Sequence, residues 1–163
     1  MADRPPAHDP AHFRKVLGAF PTGVTVVTAM DDGKPVGLAI GSFTSVSLDP
    51  PLVAFLPAKT SSSWPSIERH GHFCVNVMAA DQGDISAQFA SKADDKFLGV
   101  EWEPGPHTDS PRLAQCVAWM DCTIEQVHDA GDHWIVVGRV QDMDLDREAD
   151  PLVFFRGRYG TFV

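Results

Sequence analysis

The feature that most constrains this fold is a pair of long β-forming segments joined by a short turn. Residues 117–128 and 133–144 are rich in β-branched and aromatic side chains, and Asp129-Ala-Gly-Asp132 separates them. Their length and the tight connection predict an antiparallel β-hairpin.

Shorter β-forming segments precede and follow this hairpin, separated by turn sequences such as Asp31-Asp32-Gly33. These segments cover residues 24–30, 36–43, 44–48, 52–56, 73–78 and 152–155. Short helices are predicted after Asp9-Pro10, between Trp64 and Gly71, and after Asp81, which is expected to cap the third helix. About seven strands with only short helices between them favour an antiparallel barrel over an alternating βαβ sheet.

The 163 residues predict a single domain over residues 12–163, preceded by a flexible leader at residues 1–11. The net charge of −9 argues against nucleic acid or an anionic membrane as partner, so an anionic ligand needs a local site. No apolar signal core or membrane segment is present, which predicts a cytoplasmic protein. Cys74, Cys116 and Cys122 form no CxxC pair and are expected to be reduced structural residues.

Several common catalytic motifs are missing. Gly37 and Gly41 do not have the spacing of the GxGxxG dinucleotide motif, and the sequence contains no GxxxxGK[ST] phosphate loop. No GxSxG elbow occurs. His70 and His72 lack the spacing of a metal-binding motif, so no metal site is expected.

Three clusters carry a weaker chemical signal. Residues 58–63 combine one lysine with four hydroxyl side chains before a helix, which suits a phosphate. Small residues within 36–47 predict either a flat ring lying against the strand or a bulge at a barrel corner. Gly131-Asp-His133 and Arg156-Gly-Arg-Tyr159 suit a dinucleotide, although each alone is also typical of a surface turn.

Taken together, these clusters resemble the flavin reductase domain family, over most of the chain and with the motifs in the same order. The segments that carry the resemblance are Pro21-Thr-Gly-Val-Thr-Val-Val-Thr28, Ser42-Phe-Thr-Ser-Val-Ser-Leu-Asp-Pro-Pro-Leu-Val53, Phe73-Cys-Val-Asn-Val77, Asp95-Lys-Phe97, Gly131-Asp-His133 and Pro151-Leu-Val-Phe-Phe-Arg-Gly-Arg-Tyr159.

The resemblance implies a mainly β fold, the FMN-binding split barrel, which is a six-stranded antiparallel Greek-key barrel with short flanking helices. It implies a homodimer that uses FMN or FAD together with NADH or NADPH. Reduced flavin would pass, as a free molecule, to a partner flavin-dependent monooxygenase.

The resemblance also implies two sets of binding residues. The flavin set is Val36, Gly37, Leu38, Ala39, Ile40, Gly41 and Ser42 along the ring, Pro57, Ala58, Lys59, Thr60, Ser61, Ser62 and Ser63 at the ribityl chain and phosphate, and Ala90, Ser91, Lys92 and Phe97 at the pocket border, where the partner subunit could supply them. The nicotinamide set is His133, Arg156, Gly157, Arg158 and Tyr159.

Hydride transfer between stacked rings needs no general base or nucleophile, which is consistent with the absence of a catalytic dyad. His133 is expected to orient the nicotinamide. Two other functions stay open from the sequence: an oxidase that retains FMN and acts on a small molecule, and a flavin-binding protein without turnover.

Overall fold

A computed structural model describes residues 5–162 of the chain. The α-helices are α1 (Pro10–Leu17), α2 (Trp64–His70) and α3 (Gly83–Ala90), with a 3-10 turn at Ala80–Gln82. The strands are β1 (Thr22–Gly23), β2 (Thr25–Asp31), β3 (Lys34–Ile40), β4 (Thr44–Ser47), β5 (Leu52–Phe55), β6 (His72–Val77), β7 (Trp102–Pro104), β8 (Pro111–Leu113), β9 (Ala118–Ala130), β10 (His133–Leu145), β11 (Leu152–Phe155) and β12 (Arg158–Thr161).

The expected leader covers residues 1–11, of which residues 1–4 lie outside the described part. The N-terminal helix already begins at Pro10, and Asp9 caps it by accepting a hydrogen bond from the Ala11 amide at 3.0 Å. In residues 5–162, no helix has both the length and the apolar character needed to cross a membrane.

The hairpin predicted from the sequence is confirmed. Strands β9 and β10 pair antiparallel from Ala130 and His133 at the turn to Ala118 and Leu145 at the far end, with two register shifts. Such irregularities increase the local twist and help a sheet to curl.

Seven strands form the main antiparallel sheet, in the order β3-β2-β6-β9-β10-β5-β4. The expected count of six was therefore one short, because the four-residue β4 adds an outer strand beside β5. A three-stranded sheet (β1-β11-β12) and a two-stranded sheet (β7-β8) complete the fold.

The main sheet curls around one apolar core. Leu38 and Ile40 come from the edge strand β3, while Val53 and Phe55 come from β5 near the opposite edge, yet all four pack in the same buried cluster. A flat sheet would hold these strands far apart. Because the edge strands β3 and β4 do not pair with each other within residues 5–162, the barrel is split.

Two helices differ from the sequence expectation. Asp81 does not cap α3; its carboxylate instead binds the Arg147 guanidinium through two hydrogen bonds of 2.6 and 2.9 Å. That ion pair lowers the pKa of Asp81. The apolar face of α1 is exposed, and Phe13, Val16 and Leu17 each keep more than half of their surface accessible.

Candidate functional site

A cavity of about 660 Å³ lies beside the edge strand β3, within the range of about 300–1,000 Å³ that is usual for small-molecule sites. Three separate segments of one chain form its walls. They are Pro35, Val36, Gly37, Leu38 and Ala39 on β3, Thr60, Ser61, Ser62 and Ser63 before α2, and Phe89, Ala90, Ser91, Lys92, Ala93, Asp94, Asp95, Lys96 and Phe97 after α3.

The first wall is an edge strand whose outward backbone groups need partners from outside the sheet. The Gly37 carbonyl accepts a hydrogen bond of 2.9 Å from the Ser63 hydroxyl and one of 3.4 Å from the Lys96 ammonium. These contacts tie β3 to the other two walls of the cavity.

Gly37 also has a packing role. A Cβ atom at this position would lie 2.8 Å from Cε1 of Phe89 and 3.2 Å from the Val27 carbonyl oxygen. The small residue therefore lets α3 pack closely against β3, which is a third explanation beside the flat ring and the barrel corner considered from the sequence.

The second wall is formed by Thr60–Ser63, the second half of the hydroxyl loop, residues 57–63. Ser61 Oγ accepts hydrogen bonds from the backbone amides of Ser63 and Trp64, at 3.3 and 3.2 Å. The Ser61 hydroxyl thus satisfies the amides at the start of α2, those of Ser63 and Trp64. The side chains of Thr60 and Ser62 remain exposed at the cavity.

The third wall contributes a lysine that the sequence analysis did not select. Lys96 is half-buried, and its ammonium donates to the Ser63 hydroxyl at 3.3 Å as well as to the Gly37 carbonyl. Desolvation by burial lowers the pKa of the Lys96 ammonium. The sequence feature that could have pointed to Lys96 is its position in Asp95-Lys-Phe97, between an exposed acidic residue and a buried aromatic residue.

Lys59, which was expected at the flavin phosphate, is not among the residues that line this cavity. Its ammonium pairs with Asp129 at 2.6 Å and lies 4.5 Å from the centre of the Trp134 ring. Pro57 and Ala58 also lie outside the lining and contact the β9–β10 hairpin: the Pro57 carbonyl accepts the Trp134 amide, and Ala58 bridges His133.

Ile40, Gly41 and Ser42, which were expected along the flavin ring, do not line this cavity. Ile40 is buried in the core, whereas Gly41 and Ser42 line a second cavity of about 490 Å³ together with Phe20 and Leu56. The Ser42 hydroxyl exchanges two hydrogen bonds with the Leu56 backbone, at 3.1 and 3.2 Å, and so joins the end of β3 to the end of β5.

His133 sits at the hairpin tip, residues 129–134, and its Nδ1 is 2.7 Å from Oδ1 of Asp132. A carboxylate only accepts, so Nδ1 carries the proton and a neutral His133 keeps Nε2 as an acceptor. The hydrogen bond from His133 lowers the pKa of Asp132. The Lys59 amide donates to the Asp132 carbonyl at 2.9 Å, which fixes the tip against the hydroxyl loop.

Of the remaining nicotinamide candidates, Arg156, Arg158 and Tyr159 line a separate cavity of about 420 Å³, and Gly157 is not part of its lining. Arg156 and Gly157 form the tight turn between β11 and β12, both with positive φ, and Arg158 and Tyr159 begin β12. The Tyr159 hydroxyl lies 3.0 Å from the Ser86 hydroxyl of α3. The structure thus places these residues near the start of α3, whereas the flavin candidates lie near its end.

A sequence profile of the flavin reductase like domain matches residues 17–162. A flavin reductase from Pseudomonas putida is 54% identical over 157 residues, which cover 96% of this chain and 92% of the relative. The reductase subunit HsaB of a flavin-dependent monooxygenase from Rhodococcus jostii is 53% identical over 153 residues, covering 94% of this chain and 78% of the relative.

Among solved structures, the NADH:FAD oxidoreductase SgcE6 of Streptomyces globisporus, in complex with NAD and FAD fragments, superposes with a TM-score of 0.93. It is 34% identical, and the match covers 99% of this chain and 98% of that one. The profile match, the identities and the shared fold all extend over nearly the whole chain. This protein therefore belongs to the flavin reductase like domain family.

Proposed function

We propose that this chain is an NAD(P)H:flavin oxidoreductase that passes a hydride from NADH or NADPH to FMN or FAD and supplies reduced flavin to a partner monooxygenase. The observation that carries the proposal is the cavity beside β3, where an open strand edge, a row of hydroxyls and a desolvated ammonium meet. This donor set suits a ligand with a flat polar ring and a phosphate.

When bound there, flavin supplies the ring that accepts the hydride. The residues of this chain hold the flavin and orient it. The backbone of Val36–Ala39 would run along the ring, and the hydroxyls of Thr60–Ser63 would meet the ribityl chain and phosphate. Ala90–Lys92 and Phe97 would close the far side and limit access of water.

The nicotinamide donor is assigned to His133 and to Arg156, Gly157, Arg158 and Tyr159. Nε2 of His133 can accept a hydrogen bond from the carboxamide of the donor, while the two guanidinium groups suit its phosphates. His133 and the Arg156–Tyr159 segment lie at different places in the fold, which is consistent with the elongated shape of a dinucleotide.

The partner is inferred from the relatives. The Rhodococcus jostii relative is the reductase subunit of a flavin-dependent monooxygenase. We assign this chain the same kind of partner, reached by diffusion of free reduced flavin. Three buried free cysteines fit the reducing cytoplasm, which is the location we assign.

The decisive experiment is the oxidation of NADH or NADPH by the purified protein, followed by the loss of absorbance, with and without added FMN or FAD. Activity that rises and saturates with added flavin is the expected result. Tight flavin binding without oxidation of either donor would overturn the proposal in favour of a storage protein. Oxidation of a small amine or alcohol by retained FMN would identify an oxidase.

We further propose that the chain forms a homodimer through the exposed face of α1. Leu17 and Phe155 are neighbours in space, because the Arg156 amide donates to the Gly18 carbonyl at 2.9 Å. Phe13, Val16 and Phe154 add further exposed apolar side chains, and exposed apolar patches often mark protein–protein interfaces.

Light scattering after size exclusion should give the mass of a dimer for the unaltered chain. Replacement of both Phe13 and Val16 by Glu should give a monomer, since two charges cannot be buried against an apolar partner surface. Lys15→Glu, an exposed change on the same helix, is the matched control and should remain dimeric. A monomeric parent protein would overturn this proposal.

A further inference from the structure

The ammonium of Lys96 is half-buried at the cavity and has no charged partner among the residues that the structure describes. Its two contacts are both to neutral oxygens, the Gly37 carbonyl at 3.4 Å and the Ser63 hydroxyl at 3.3 Å. Hydrogen bonds of this type are usually 2.7–3.2 Å, about 0.1–0.7 Å shorter. Within residues 5–162, no carboxylate oxygen lies within 4.0 Å of the Lys96 ammonium.

The acidic residue beside it is already engaged elsewhere. Oδ1 of Asp95 accepts the backbone amide of Phe97 at 2.9 Å and so stabilises the turn that carries Lys96. A partly desolvated cation without a counter-ion is costly, and burial disfavours its charged form. An anion arriving from outside would remove both penalties.

The other lysines near the site are less suited to this task. Lys59 is committed to Asp129 and to the Trp134 ring. Lys92 borders the cavity but is exposed, so water already solvates its charge. Since the chain carries a net charge of −9, a bound phosphate depends on a cation placed at the site itself.

We propose that Lys96 forms the ion pair with the phosphate of the flavin, beside the hydroxyls of Thr60, Ser61 and Ser62. This inference rests on the proposed function, and it replaces Lys59 as the ammonium of the phosphate site. Binding would exchange the two weak contacts of Lys96 for a charge-assisted hydrogen bond. Ser63 would then keep its 2.9 Å bond to the Gly37 carbonyl, so that β3 stays in place.

The test compares two ligands that differ only in the phosphate, FMN and riboflavin, by quenching of flavin fluorescence on binding to the full chain. The variants are Lys96→Met, which keeps the length of the side chain without its charge, and Lys96→Arg, which keeps the charge. Lys34→Met is the matched control, because Lys34 is an exposed lysine on β3, the strand beside the cavity, but does not line the cavity itself.

We expect Lys96→Met to weaken FMN binding about 10- to 100-fold, as is usual for the loss of a hydrogen bond to a charged group. Riboflavin affinity should change less than about twofold on the same grounds, because riboflavin makes no such bond. Lys96→Arg should recover most of the FMN affinity, and Lys34→Met should behave like the unaltered chain.

Three outcomes would overturn the inference. Equal loss of FMN and riboflavin affinity in Lys96→Met, with an unchanged melting temperature, would place Lys96 at the ring. Unchanged FMN affinity would remove Lys96 from the phosphate site. If the unaltered chain bound neither flavin, the proposed function would fail and this inference with it, whereas the first two outcomes leave that function intact.

Discussion

His133 is oriented by the residue that precedes it. Its Nδ1 lies 2.7 Å from Oδ1 of Asp132, and this hydrogen bond restricts rotation of the ring and leaves Nε2 available to a ligand. Asp132 in turn is anchored through its own carbonyl, which accepts the Lys59 amide. A residue held in this way can orient a bound donor, and hydride transfer between stacked rings asks for no proton transfer from it.

We expect His133→Ala to raise the KM for NADH about 5- to 20-fold and to leave flavin affinity within about twofold, because one hydrogen bond to the donor is lost. Steady-state oxidation of NADH and flavin titration measure the two quantities. His128→Ala removes an exposed imidazole from the same hairpin and is the control. Equal losses of donor and flavin binding would exclude the orienting role.

The two lysines show where sequence reasoning reaches its limit at the residue scale. Lys59 belongs to residues 58–63, whose composition predicted a phosphate site, and Lys96 belongs to Asp95-Lys-Phe97, a segment that carries the resemblance. Which ammonium enters the cavity depends on tertiary neighbours, because Asp129 and Trp134 engage Lys59 from 70 residues or more along the chain. No local pattern around Lys59 contains that information.

At the scale of elements, the hairpin tip is attached to the hydroxyl loop. The Trp134 amide donates to the Pro57 carbonyl at 3.0 Å, and Lys59 adds its amide and its ion pair with Asp129. Hydrogen bonds and an ion pair therefore link the proposed nicotinamide region at the hairpin tip to the proposed flavin region at the hydroxyl loop.

Lys59→Met should raise the KM for NADH about 2- to 5-fold, because it removes an exposed ion pair of modest strength that positions the tip. Flavin affinity should stay within about twofold in direct titrations. Asp129→Asn breaks the same pair from the other side and should reproduce the effect. A selective loss of FMN affinity in Lys59→Met would instead support the phosphate role expected from the sequence.

The packing of α3 on β3 depends on Gly37. We expect Gly37→Ala to lower the free energy of unfolding by about 1–3 kcal/mol, since the new methyl group would overlap the Phe89 ring and the Val27 carbonyl. Urea unfolding measures this loss. Gly160→Ala is the control, because a Cβ there has no neighbour within 4 Å.

An unchanged unfolding curve for Gly37→Ala, together with lost flavin affinity, would favour the other explanation, close approach of the ring. The sequence correctly indicated that small residues on β3 matter. It could not separate the two reasons, because Phe89 lies 52 positions further along the chain and its approach to β3 is a tertiary contact.

Most elements were predictable because they are encoded locally. The turn residues Asp32 and Gly33 adopt positive φ, as a tight hairpin requires, and Pro10 follows its cap at Asp9. The sequence predictions that were wrong involve contacts between residues that are distant in the sequence. Asp81 has the sequence of a helix cap, but Arg147, 66 positions further along the chain, binds its carboxylate.

At the scale of the whole molecule, the reactivity of the three cysteine thiols indicates whether the core is folded. Cys74, Cys116 and Cys122 are fully buried and unpaired. Burial raises the pKa of the Cys116 thiol from 9.0 to about 12 and raises the pKa values of the other two as well. All three are therefore inert thiols in the folded state.

Stability should accordingly decline in alkali. Thiols of the unfolded chain ionise above pH 9 or so while the buried ones do not, so their contribution is complete below that pH and is lost as the pH rises towards 12. Each thiol can contribute up to about 1.4 kcal/mol per pH unit to this decline.

Urea unfolding at several alkaline pH values measures the slope, and Cys116→Ala should reduce it. Ellman's reagent should modify the three thiols at neutral pH only when urea is present. Rapid modification of the native protein would contradict the burial of these side chains.

The order of strands has a consequence for biosynthesis. Strand β5, which leads into the hydroxyl loop, joins the main sheet only through β10, since its other neighbour is the outer strand β4. Residues 34–97 can leave the ribosome before β10 is made, but the contacts of Pro57 and Lys59 with the hairpin tip form only after residue 134. In a nascent chain, the start of the hydroxyl loop is therefore expected to become fixed only near the end of translation.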